Sequence, residues 1–414
     1  MIVLFPALIV LSAPGCGLLG TGSDETTVEV GTVRVIVFDH FGVPASRADV
    51  VVHDSHGEVF ARAKLADDGT GEVTSVAGGT VSVAMFTDSD DLSLAKESGE
   101  ITSFTNVPLD VTLHVGAPDP ALGKLFDVTV QLPDFPDAPA YEVSIGCGDA
   151  PVHDPTLFTL HVPEGCGTHP RTIVATAFTP GFSPAALSVL RGVDLHQPGT
   201  IVMPAFAPLH TVDLDISGHD PAKTFYDGTI TLTSDDGTFQ FFGDTDNVAG
   251  TIRPEVPDGP WALTRYERQF VFDDRDDLTF SFYEQTDAGD PRSTTVPEAD
   301  FLVPPVRGEG EFGFTFEGTP DFRKLDLRYR CFKCAARGRW TVFAPAEQTT
   351  LELPEMPADL KSLTPDDAFI EDISGHIFED SELDGYNAFL NADPGAAAGT
   401  VHREAVVFLR AEID

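Results

Sequence analysis

Positive charge is the scarcest property of this 414-residue sequence. Seven residues are Lys, and Lys plus Arg number 25 against 66 Asp plus Glu, a formal net charge of −41. Such a chain repels nucleic-acid phosphates and anionic lipid surfaces, so no nucleic-acid partner is expected. Salt screening over about 8–10 Å would weaken the self-repulsion. Cysteine is also rare, with five residues, an odd number. Long apolar runs are missing: the most compact, residues 2–11 (IVLFPALIVL), falls well short of the about 20 residues that span a membrane as a helix. No G-x-S-x-G and no H-E-x-x-H occurs, which removes the nucleophile elbow and the helical zinc protease. Gly308, Gly310 and Gly313 match G-x-G-x-x-G, but an alternating strand follows where a dinucleotide site needs a helix, so they read as turn glycines. The pairs His53-Asp54 and His153-Asp154 are sequence neighbours, and neighbours on a strand point to opposite faces. Carboxylates are too abundant to single out a glycosidase pair. These absences argue against an enzyme.

What is present is the vocabulary of short strands and tight turns. The chain holds 37 Gly, 32 Pro and 31 Phe, with 42% apolar residues, enough for real cores. Its length allows two to four domains. Val33, Val35 and Val37 alternate with Arg34 and Ile36, and Val50, Val52 and Val81, Val83 follow in short runs. Turn signals at 41–44 (FGVP), 55–57 (SHG) and 67–69 (DDG) separate these runs, the spacing of a β-sandwich. Residues 116–123 (GAPDPALG) read as a linker, after which Phe126, Val128 and Val130 restart the alternation. Further breaks fall at 203–208 and 304–310, followed by Leu214 and Ile216 and by Phe312, Phe314 and Phe316. The expected spans are therefore 31–116, 117–207, 208–305 and 306–414, each a β domain. Helix character is confined to 381–392, with Ser381 as cap and Tyr386, Phe389 and Leu390 on one face. Residues 405–409 read as a closing strand.

The leader points to export. Residues 1–15 end in Ala13, Pro14 and Gly15 before Cys16, and this resembles the lipobox of bacterial lipoproteins, in which Cys16 becomes the lipidated first mature residue. The sequence departs from that pattern in having no Lys or Arg before Arg34 and Ala rather than Leu at position 13. A buried N-terminal strand is the alternative, disfavoured by Pro6, Pro14 and the glycines of 15–22. The resemblance implies a membrane partner through a lipid anchor, and Gly17 after the lipidated cysteine implies an outer-membrane address in a Gram-negative cell. Residues 16–30 would be a linker.

A second resemblance covers residues 31–86 and extends to about 116. Asp39, Gly42 and Pro44 follow a first strand, Ala48 and Val50 open a second, and Gly57, Asp68 and Gly71 occupy turn positions. That arrangement is similar to the carboxypeptidase regulatory-like domain, of transthyretin-like, Ig-like type. Gly79-Thr80 stands where the family usually has Gly-Tyr, and the segment after Phe86 is longer. The resemblance implies a non-catalytic module. With it, the expected fold class is all-β: tandem Ig-like/transthyretin-like β-sandwich domains with one short helix near the C-terminus.

Setting Cys16 aside leaves two close pairs, Cys147 with Cys166 and Cys331 with Cys334. Export permits both to be disulfides. For Cys331-x-x-Cys334, beside Arg330 and Lys333, a redox dithiol or half a zinc site (with His376 and His402 as further donors) stays open beside a hairpin disulfide. Around this pair lies the one basic cluster: Arg323, Lys324, Arg328, Arg330, Lys333, Arg337 and Arg339, interleaved with Phe322, Tyr329, Phe332 and Trp340. It is the candidate surface for an anionic glycan or an acidic envelope protein, through guanidinium pairing and stacking. The competing reading has these cations neutralise the protein's own carboxylates. Asp244, Asp246 and Glu255 have EF-hand spacing, but Val248 and Ala249 occupy the ligand and glycine positions. Asp244, Asp246 and Asn247 remain as a looser structural calcium site, beside the simpler reading of a solvated acidic turn; no other cofactor is expected. The function expected is that of a lipid-anchored cell-envelope protein, a surface binding or structural module. The alternative is an envelope hydrolase acting on polysaccharide or peptide, recognisable by a concave pocket of convergent polar groups.

Overall fold

The computed structural model describes residues 29–38, 48–87, 98–116, 125–136, 138–145, 149–152, 156–163, 166–167, 170–181, 183–197, 199–211, 214–216, 225–234, 237–242, 251–252, 255–257, 265–274, 278–287, 295–296, 306–307, 314–316, 318–331, 336–348, 351–365, 369–380, 383–392 and 401–408. Cys16, Cys147, Lys333, Cys334, Asp244, Asp246 and Asn247 lie outside them, as do Gly308, Gly310, Gly313 and Ser381. Between 210 and 313 the backbone alone is described.

The chain is all-β, with one short α-helix, Tyr386–Asn391, among the described residues. Seven strands open it: β1 (Val30–Phe38), β2 (Ala48–His53), β3 (Val59–Lys64), β4 (Thr70–Val76), β5 (Gly79–Thr87), β6 (Ser98–Val107) and β7 (Thr112–Gly116). β1 pairs antiparallel with β4 and parallel with β7 to form one sheet. β3, β2, β5 and β6 form the opposing layer. The period-two valines fill the space between: Val33, Val35, Val37, Val50, Val52, Val81 and Val83 are all buried. The turns at 55–57 and 67–69 form where the sequence places them; 41–44 lies outside the described residues. Asp68 accepts from the Thr70 amide (3.0 Å) and hydroxyl (2.7 Å), and Gly69 takes φ +72° beside it.

A second sandwich follows. Ala140–Ser144, Arg171–Phe178 and Pro184–Val193 lie in one sheet, opposed by Leu157–Pro163, Leu125–Gln131 and Thr200–Val202. Its core includes Val128, Val130, Val143, Leu160, Ile173 and the buried, disulfide-bonded Cys166.

The opposing layer of the first sandwich does not end at β6. β6 pairs parallel with Ala336–Pro345, from Arg337 opposite Ser98 to Phe343 opposite Phe104. The sheet continues through Phe322–Cys331, Phe369–Asp380, Val401–Phe408, Leu278–Asp287, Arg265–Asp274, Phe225–Ser234 and Gly237–Phe242, twelve strands in all. Two cores are stacked on it. One is the valine core, which also takes Phe322, Phe378, Tyr386 and Leu390 from the C-terminal third. The other lies on the opposite face and holds Ile101, Leu325, Leu327, Tyr329, Trp340 and Val342 under Leu351, Met356, Leu360 and Leu363. The helix seals the first core, and Tyr386 donates its hydroxyl to the Phe343 carbonyl at 3.0 Å. Gly385, at φ +78°, is its N-cap, and its amide donates to Asp321 Oδ1 at 3.1 Å. The expected start at Ser381 thus moves to the following turn, where Gly385 supplies the backbone conformation and Asp321 the acceptor.

Candidate functional site

The basic cluster falls on the hairpin of Phe322–Cys331 with Ala336–Pro345, in which Cys331 pairs with Ala336. Alternation divides it between two faces. Arg323 points into the second core and is 0% exposed. Its guanidinium donates to the Phe314 carbonyl (2.7 Å) and to the Gln348 carbonyl, and sits 3.9 Å over the Phe314 ring. Burial lowers its pKa to about 10. Trp340, 1% exposed, is buried in the same core and donates Nε1–H to Ser103 Oγ at 2.9 Å, which in turn shares a 2.7 Å bond with Ser82 Oγ. Neither residue is on the surface, so neither contributes to an exposed recognition patch.

The other face is a ladder of opposite charges. Arg339 holds Asp326 bidentately, with Nε at 2.8 Å from Oδ1. Arg330 Nε stands 2.8 Å from Glu371 Oε1, and Lys324 Nζ stands 3.8 Å from Glu404 Oε1. Arg328 is exposed, opposite Arg339 on one side and Asp372 on the other. Arg337 is in the hairpin at the Arg330 register, and its side chain is outside the described set. Three of the cations therefore face carboxylates of this same chain, in the manner of the competing reading. Farther along this face His376 contacts both Ser374 and Glu404, with Ser374 Oγ 2.8 Å from His376 Nε2 and His376 Nδ1 2.5 Å from Glu404 Oε1.

The concave site lies where the first sandwich meets the segment after the hairpin. A groove of about 640 Å³ is walled by the turn 54–58, by Gly78, Thr80, Thr105 and Asn106, and by Gln348 with residues 352–355. Four carboxylates, Asp54, Glu58, Glu352 and Glu355, line it together with His56. Its two walls are joined by hydrogen bonds. Thr105 Oγ1 donates to Gln348 Oε1 at 2.7 Å. The buried His53 contacts the Glu355 carbonyl through Nε2 at 2.9 Å, and since a carbonyl only accepts, Nε2 carries the proton. Arg62 bridges Asp49 and Asp359, each at 2.9 Å. The His56 amide holds the Asp54 carboxyl below its ordinary range, and burial lowers His53 against the opposing pull of the Glu355 and Thr80 backbones. Asn106, at φ +53°, turns the chain at the groove rim. Sequence reasoning did not find this groove, because its walls come from positions about 250–300 apart; the SHG turn was its one local sign.

Among the described residues no three His, Cys, Asp or Glu converge as a metal would require, and no helix is long and apolar enough to cross a membrane. No known family matches the chain, and no curated protein does. Among solved structures, the Bacillus anthracis TIE protein aligns at 10% identity and TM-score 0.17, over 65% of this chain and 50% of its own. The shaft pilin spaA of Lactobacillus rhamnosus GG aligns at 8% and 0.17, over 44% of this chain and 98% of the pilin. The Bacillus cereus major pilin BcpA aligns at 8% and 0.15, over 65% and 98%. The chain spans half the length of the TIE protein.

Proposed function

We propose that this chain is a surface module of the cell envelope, tethered through a lipid on Cys16, that binds or organises surface material through its acidic groove. One observation carries this reading: strands from the first and last thirds of the sequence build one sheet, and the segment that follows the last third's hairpin closes a groove against the first sandwich. A cleft rimmed by backbone groups, hydroxyls and carboxylates suits a hydroxyl-rich or amine-bearing ligand, of which a glycan is one class. The groove takes precedence over the basic hairpin because three hairpin cations already face internal carboxylates. In this reading the first seven strands are a carboxypeptidase regulatory-like module, and the remaining cysteines form bridges, Cys147 with Cys166 and Cys331 with Cys334.

Fractionation and intact mass of the native protein test the anchor. Membrane-bound protein beginning at a diacylglycerol-modified Cys16, released by Cys16→Ser, supports it; full-length unlipidated protein in the cytosol overturns it. Titration of the full chain with isolated envelope polysaccharide tests the groove. Glu58→Gln and Glu352→Gln should weaken binding about tenfold each, the worth of a hydrogen bond to a charged group. Affinity that both variants leave unchanged removes the groove from the proposal.

A further inference from the structure

The Ser374, His376 and Glu404 contacts have a direction. Ser374 and His376 are two apart on Phe369–Asp380 and share a face, and Glu404 arrives from Val401–Phe408, where it pairs with Phe378. Glu404 as a carboxylate only accepts, so His376 Nδ1 carries the proton and donates across the 2.5 Å contact. That leaves Nε2 as the acceptor for the Ser374 hydroxyl at 2.8 Å. Nucleophile, base and orienting carboxylate then stand in the order that nucleophilic catalysis uses. Burial, reinforced by the Lys324 ammonium, holds His376 below its ordinary pKa against the pull of Glu404 and Asp326, so the imidazole is neutral at pH 7. Register puts Lys324 opposite His376 and Asp326 opposite Ser374. The Asp326 charge is taken up by its bidentate Arg339.

We propose that Ser374, His376 and Glu404 form a nucleophilic relay that hydrolyses small acyl esters. Ser374 Oγ attacks the ester carbon while its proton passes to His376 Nε2. The tetrahedral adduct expels the alcohol oxygen, which takes that proton, and an acyl-Ser374 remains. Water, deprotonated by His376, then releases the carboxylic acid and restores the serine. Ser374 is 7% exposed, so the smallest activated esters are the substrates to test. Glu404 is a positioning residue, fixing the tautomer. This activity is separate from ligand binding at the groove and does not depend on it.

The experiment uses the purified full chain with p-nitrophenyl acetate and with a fluorophosphonate probe read by peptide mass. The expected result is one adduct, on the peptide bearing Ser374, and hydrolysis that rises with pH to a midpoint below about 6.5, the ordinary histidine value. Ser374→Ala should abolish both signals, and His376→Gln should lower hydrolysis by about 10²–10⁴-fold. Glu404→Gln should lower the rate and move the pH midpoint down, and Glu404→Asp should restore part of both, a response that a merely structural carboxylate would not give. Wild-type chain with a native circular-dichroism spectrum that neither labels nor hydrolyses overturns the proposal. So does an adduct on any other residue, a result that needs no variant to fold.

Discussion

Arg323 shows how one buried cation organises a core. Its planar fork reaches two backbone carbonyls on separate segments, at Phe314 and Gln348, while Phe314 lies under the guanidinium. Arg323→Ala removes both bonds and leaves a cavity, and should destabilise by about 2–4 kcal/mol, read as a lower urea midpoint. Arg323→Lys should recover less than half of that, because a single ammonium cannot span both acceptors. His53 provides the complementary test by pH. Burial depresses its folded pKa below the unfolded value near 6.5. The unfolded chain therefore binds the extra proton first, and the stability His53 gives is complete above about pH 6.5 and lost as pH falls below it. Thermal melts from pH 8 to 5 should show wild type losing more than His53→Gln. That difference is the informative quantity, since protonating carboxylates in so acidic a chain changes both proteins alike.

At the scale of elements, the seam between β6 and Ala336–Pro345 depends on Trp340, Ser103 and Ser82, three residues in one hydrogen-bonded line through the core. Trp340→Phe keeps most of the apolar volume but removes one of the two hydrogen bonds of Ser103 Oγ, and should cost about 1 kcal/mol by chemical denaturation. Trp340→Ala should cost about 3–5 kcal/mol. Gly375 is a second point of close fit: a Cβ there would stand 2.6 Å from the Phe314 ring, so Gly375→Ala should destabilise by about 1–3 kcal/mol through overpacking. These elements also mark what was legible in the sequence. Val33, Val35 and Val37 announced a strand and its buried face, because period two is a local signal. The Asp68-Gly69 turn was legible for the same reason. The parallel pairing of β6 with a strand more than 230 positions later leaves no local trace, since each strand alone reads as an ordinary alternating run. Arg323 and Trp340 were read as surface groups from residue type and neighbourhood, yet each lies on the inward parity of its strand. His376 was read only as a possible zinc donor, and its contacts with Ser374 and Glu404 exist because the sheet brings Glu404 near.

The largest consequence concerns the molecule as a whole. The first seven strands look like a self-contained sandwich in sequence, yet their core is completed by Phe322, Phe378, Tyr386 and Leu390 from the C-terminal third. β6 would present an open edge if Ala336–Pro345 were removed, and Ile101 and Ala84, now in the second core, would face water. An unpaired edge beside newly exposed apolar groups is a template for association. A fragment of residues 29–116 should therefore fail to give a cooperative thermal transition as a monomer, and should elute from size exclusion as aggregate or dimer. The full chain should unfold these strands together with the hairpin, so that in a Trp261→Phe background the Trp340 fluorescence and the far-ultraviolet circular dichroism of the chain move in one step. A fragment that melts cooperatively as a monomer would show that the seam is an accessory contact, and the groove wall formed by Gln348 and residues 352–355 would then be held less rigidly against the first sandwich. Screening should act on the same assembly: with a net charge of −41, raising salt from 0.05 to about 0.5 M should increase the full chain's melting temperature. Internal ion pairs such as Arg339 with Asp326 weaken in the same range, but they are single contacts, whereas the repulsion is summed over the whole surface. A melting temperature that falls with salt would mean that the charge ladder on the polar face outweighs that sum.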